Sequence, residues 1–130
     1  MSLTNSNLEL ARLALNTLSE AIYQNNVKAG WFKDPTTGRK IKRDPMVMLM
    51  LIVTEVAEAA EGIRKNLPDD HIPSRPMVEV ELADVLVRVF ELAGYLGLDL
   101  GGAFVDKILY NAVRADHKLT ARAAPGGKKC

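Results

Sequence analysis

The sequence predicts an all-α fold, a bundle of four to five helices. Apolar residues recur at steps of three and four along most of the chain, the period that gathers them on one helical face. The periodic segments are separated by clusters of Pro, Gly, Asp and Asn, and no run suits a buried sheet.

The first helix is expected from Asn5 to Lys28, where Leu8, Ala11, Leu15, Leu18 and Ile22 keep the helical step; Gly30 ends it. A basic, turn-forming loop follows from Lys33 to Lys40. Asp44 is placed to cap the second helix, with Pro45 at its first position and an end near Asn66. Met46, Met48 and Met50 read as core filling. Pro68, Pro73 and Pro76 bracket the next loop, and Ser74 is the candidate cap of a third helix that ends near Gly97. Asp99 is expected to cap the fourth helix, continuing to about Thr120. The second and third helices are expected to be adjacent and antiparallel. A single domain is expected over residues 1–122, with 123–130 a disordered tail.

Charge is sparse on the middle helices. From Val78 to Leu96 the charged residues are Glu79, Glu81, Asp84, Arg88 and Glu91; the last four fall on one stripe and Glu79 opposite. A helix apolar around most of its circumference is expected to be covered by its own bundle and by a second subunit, which predicts a homodimer or homotetramer. Charges on such a helix cost free energy unless paired or metal-bound. Arg88, four residues from Asp84, offers one local pairing. Between Pro45 and Gly62 the charges are Glu55, Glu58 and Glu61.

Glu55-x-x-Glu58 and Glu81-x-x-Asp84 each aim two carboxylates in one direction. Four carboxylates meeting from neighbouring helices repel one another unless a cation lies among them. An all-oxygen donor set suits Mg2+, with Mn2+ a substitute, and Mg2+ points to phosphate chemistry. Glu61 reads either as an outer ligand that orients water or as a surface residue. On the fourth helix Lys107, Asn111, Arg114 and Lys118 form a basic stripe, suited to triphosphate oxygens or simply solvated. Trp31 is either an apolar anchor or a contact to a base. His71 and His117 read as surface residues.

The 130 residues carry a formal charge of +1 with three Phe, three Tyr and one Trp, which argues against a nucleic-acid binder or a polybasic membrane module. The sole cysteine, Cys130, allows no internal disulfide, so a reducing, cytoplasmic setting is expected. Met1 to Glu9 lacks the pattern of a signal peptide, and no stretch of about eighteen residues is free of charge, so no membrane helix is expected.

Lys28-Ala29-Gly30-Trp31, Thr54-Glu55-Val56-Ala57-Glu58-Ala59-Ala60-Glu61, Glu81-Leu82-Ala83-Asp84-Val85 and Lys107-Ile108-Leu109-Tyr110-Asn111-Ala112-Val113-Arg114, in this order, resemble the MazG-like all-alpha NTP pyrophosphatase superfamily over about Asn25 to Lys118. The resemblance implies a nucleoside triphosphate pyrophosphohydrolase, cleaving a (deoxy)nucleoside triphosphate to the monophosphate and pyrophosphate for nucleotide pool control. It implies Mg2+ or Mn2+ held by Glu55, Glu58, Glu81 and Asp84, with Glu61 a further catalytic candidate. Lys107, Asn111 and Arg114 would bind the substrate, with Trp31 and Lys28 near the base or phosphates. Some relatives carry an acidic residue just before the first motif glutamate; Thr54 stands there, so the resemblance names no general base. A non-catalytic oligomeric module that binds a nucleotide or metal is the alternative. A di-iron bundle needs Glu-x-x-His on two helices, which this chain lacks. Neither the base nor the sugar is readable from these residues.

Overall fold

Caps bound most of the long helices in the computed structural model, which describes residues 4–128. The helices are α1 (Asn5–Lys28), α2 (Pro45–Lys65), α3 (Met77–Leu96), α4 (Leu100–Val113) and the short α5 (Leu119–Ala123), with a 3-10 turn at Ala115–His117. The described residues include no β-strand, only isolated bridges at Lys33↔Lys40 and Pro68↔Pro76. The fold is therefore all-α. Asp44 accepts the Met46 N–H at 2.9 Å, and Pro45 opens α2 without wasting a donor. Asn66 closes α2 in the left-handed region at φ 53, and Gly97 does the same for α3 at φ 65. Asp99 accepts the Gly102 N–H at 2.9 Å and so caps α4.

Two boundaries differ from expectation. Pro76, not Ser74, occupies the N-cap of α3, with no side-chain cap. The capping carboxylate in that loop is Asp69, which accepts the His71 and Ile72 N–H groups and holds the loop away from helical geometry until Met77. The fourth helix ends at Val113 rather than near Thr120. Arg114 turns to ψ 127 and its Nε donates to Asp116 Oδ1 at 2.9 Å. Side chains two apart do not face each other on a helix, so this pair requires the break. Ala123 belongs to α5, and the Gly127 N–H donates to the Ala124 carbonyl in a turn beyond it. Lys129 and Cys130, like Met1 to Leu3, lie outside the described residues.

The chain divides into two compact units: Thr17–Leu98, and the residues up to Asn16 together with those from Asp99. In the first, α2 and α3 are adjacent and antiparallel. Gly62 lies against Met77 at one end, and Arg88 reaches Glu55 further along. Phe32, Met48 and Leu92 form the buried centre, joined by Tyr23, Val27, Ile52 and Tyr95. Phe32 lies in the loop after α1. Its ring meets Tyr23 edge-on and Tyr95 at a tilt, each with centroids 5.2 Å apart, which pins the loop to the helices. Met48 is core, whereas Met46 and Met50 are 67% and 58% exposed, a correction to their reading as core filling. Residues two apart on a helix point about 200° apart, so one face cannot bury all three.

At Gly94 α3 packs directly on the α1 backbone. A Cβ there would collide with the Ser19 carbonyl and lie 2.6 Å from Tyr23 Cβ. Gly94→Ala is expected to cost about 1–3 kcal/mol of stability, because the obstacle is backbone rather than a mobile side-chain tip. A chemical denaturation curve superimposable on that of the parent would count against this packing.

In the second unit the Asn16 amide ties two segments together. Its Nδ2 donates to Asp99 at 2.7 Å and its Oδ1 accepts the Gly101 N–H at 2.8 Å. Gly101 touches the Arg12 backbone, where a Cβ has no room. No helix among the described residues is long and apolar enough to cross a membrane.

Candidate functional site

The carboxylates of Glu55, Glu81 and Asp84 converge between α2 and α3, each offering an oxygen within 4.8 Å of the others. Helical spacing accounts for part of this. Glu81 and Asp84 are three apart on α3, and antiparallel packing brings Glu55 of α2 opposite them. Glu55 and Glu81 are buried, each 6% exposed, and Asp84 opens to solvent. Glu58 is exposed on the same turn of α2. Burial first, then the charges of Glu58 and Glu55, a hydrogen bond to Glu55 and the charge of Asp84, push the Glu81 carboxyl up to about 7. Glu55, Glu58 and Asp84 therefore all act on Glu81.

Arg88 does not pair with Asp84. Its Nε donates to Glu55 across the helix interface. An unpaired carboxylate buried as Glu55 is costs far more than an exposed one, so the cross-helix pair prevails over the local pair. Glu61 is engaged on its own helix by Arg64 and Lys65, which hold its carboxyl below the usual range. Thr54 donates to the Leu51 carbonyl at 2.7 Å.

Trp31 and Arg43 border a cavity of about 430 Å³ that also touches Asp84 and Arg88. The Tyr95 hydroxyl places Arg43, accepting its N–H at 3.2 Å and donating to its carbonyl at 3.1 Å, while the guanidinium lies 5.7 Å from the Phe32 ring centre. Lys28 is exposed near the end of α1. Asn26, Arg43 and Glu91 also line the cavity. Sequence reasoning gave Asn26 and Arg43 no role. A lone Asn or Arg carries no motif, and the Asn26–Glu91 bond spans 65 residues. The available signal was Glu91 itself, a charge on a nearly apolar helix.

Lys107, Asn111 and Arg114 belong to the other unit. Lys107 and Arg114 lie over the Tyr110 ring, at 5.0 and 5.5 Å from its centre. Arg114 also holds Asp116, whose carboxyl is lowered chiefly by that hydrogen bond. Asn111 Oδ1 is buried with no hydrogen-bond partner among the described residues.

A divalent cation fits the carboxylate donor set: all its ligand atoms are oxygens, two of the three converging carboxylates are buried, and burial together with their mutual repulsion raises Glu81. A second group, Asp69, Asp70 and His71, lies in the α2–α3 loop; Asp70 and His71 are exposed, and the buried Asp69 carboxylate already caps backbone. Compared with family models, curated proteins and solved structures, the chain has no significant match.

Proposed function

We propose that the protein is a divalent-metal-dependent nucleoside triphosphate pyrophosphohydrolase. The observation that carries this reading is the convergence of Glu55, Glu81 and Asp84 within 4.8 Å, with Glu58 close enough to act on Glu81. Beside it, the cavity shared by Asp84, Trp31 and Arg43 offers room for the remainder of a nucleotide. Glu55, Glu58, Glu81 and Asp84 would hold Mg2+ or Mn2+. When bound, such an ion neutralises phosphate charge and lowers the pKa of water. To hold such an ion Glu81 would have to lose its proton to solvent, since a carboxylate ligand must be ionised. Arg88 pairs with Glu55 and orients its carboxylate. The residues of the MazG-like resemblance are consistent with this reading, and that resemblance assigns cleavage to the α–β phosphoanhydride.

The test is a panel of NTPs and dNTPs assayed for pyrophosphate with Mg2+ and with Mn2+. Stoichiometric monophosphate and pyrophosphate are expected. Nucleotide or metal binding with no turnover by any substrate would instead fit the non-catalytic module.

A homodimer or homotetramer is part of the proposal. Met46, Met50 and Val53 form an exposed apolar stripe on α2, and Leu82 and Leu86 another on α3, all at least half exposed in the single chain. Light scattering at micromolar concentration is expected to give a dimer or tetramer mass, and Met50→Glu with Leu86→Glu a monomer. A monomer mass for the parent would remove this part.

A further inference from the structure

The cavity beside the carboxylates has a chemical polarity of its own. Leu51 and Val87 give it apolar walls, Trp31 stands at its rim 64% exposed, and Arg43 and Glu91 supply opposite charges. Glu91 is 7% exposed. Asn26 Nδ2 donates to its Oε1 at 3.0 Å, which fixes the carboxylate and leaves Oε2 and one lone pair of Oε1 to meet a ligand. The acceptor sites that Asn26 leaves free face the cavity that Glu91 lines, so a ligand with two adjacent N–H donors gains most there.

We infer that this cavity is a base pocket that selects guanine nucleotides, with Glu91 accepting from the guanine N1–H and 2-amino group. Guanine is the common base that presents two neighbouring donors to a carboxylate. Adenine and cytosine place a ring-nitrogen acceptor beside their amino group, and that lone pair would face a carboxylate oxygen. Uracil flanks its one N–H with two carbonyls. Tyr95 holds the Arg43 backbone, and the Arg43 guanidinium, over the Phe32 ring and near the Trp31 carbonyl, has further N–H donors suited to the O6 and N7 acceptors on the other edge of guanine. Trp31 is placed to stack on the ring, exchanging its exposed face for a base. Asp84 borders both the cavity and the cluster, so a base here and phosphates at the cluster belong to one ligand. This inference rests on the proposed hydrolase only for the position of the phosphates.

Binding and turnover are measured separately on the full chain. Affinities for α,β-methylene analogues of GTP, ITP, ATP, CTP and UTP, with Mg2+, are read from the fluorescence of Trp31, the only tryptophan, and by calorimetry. The guanine analogue is expected to bind most tightly. The inosine analogue, which lacks only the 2-amino group, is expected to bind about ten- to a hundredfold more weakly, the effect of one lost hydrogen bond to a charged group. Glu91→Gln is expected to erase most of the guanine preference, and because the inosine comparison uses the unaltered protein, misfolding of this variant cannot decide the question. Equal affinity for the guanine and inosine analogues, or preference for any other base, overturns the inference. Guanine-selective binding without pyrophosphate release from GTP or dGTP upholds it and overturns the hydrolase. Pyrophosphate release indifferent to the base does the reverse, and no binding by any analogue overturns both.

Discussion

Glu81→Ala and Asp84→Ala are expected to lower pyrophosphate release by about a thousandfold or more, as are Glu55→Ala and Glu58→Ala. Each removes an oxygen donor whose effect is felt in the transition state. Glu81 and Glu55 are expected to be the most sensitive positions, because their carboxylates are buried. Chromatography of the products is expected to show monophosphate and pyrophosphate in equal amounts. Diphosphate with orthophosphate would place the cleavage elsewhere, and full activity in Glu81→Ala and Asp84→Ala would dissolve the site.

The metal-free protein is expected to lose stability as pH rises from 4.5 through about 7. Glu81 has a folded-state pKa raised to about 7 from 4.5, so in this window the unfolded chain ionises while the folded chain keeps its proton. The folded state binds more protons, and by linkage its stability falls with pH, by about 3 kcal/mol once Glu81 is ionised. Mg2+ or Mn2+ at millimolar concentration is expected to offset this, raising Tm by roughly 5–10 °C at about pH 8 and by less at about pH 5.5, where binding must displace the proton. Glu81→Gln is expected to flatten the pH dependence and to weaken the metal response, although without metal it can exceed the parent in stability at high pH. Melting curves unmoved by either ion at about pH 8 would mean that these carboxylates hold no metal.

The sequence by itself determined the helical class, most helix boundaries and the two acidic pairs. These follow from short-range rules. The Asp44-Pro45 cap, the left-handed Gly97 stop and the three-residue spacing of carboxylates act within a turn or two of helix. Tertiary structure alone decided the partners. Arg88 sits four residues from Asp84 yet pairs with Glu55, 33 residues away, because burial raises the cost of leaving Glu55 bare. Met46 and Met50 face outward while Met48 fills the core, because the rotation of α2 about its axis is set by what packs on it. The cavity wall of Asn26, Arg43 and Glu91 joins three distant segments. Their separations, 65 residues for Asn26 and Glu91, lie beyond any local spacing rule, so the chemistry that would choose a base became visible only once the helices were packed.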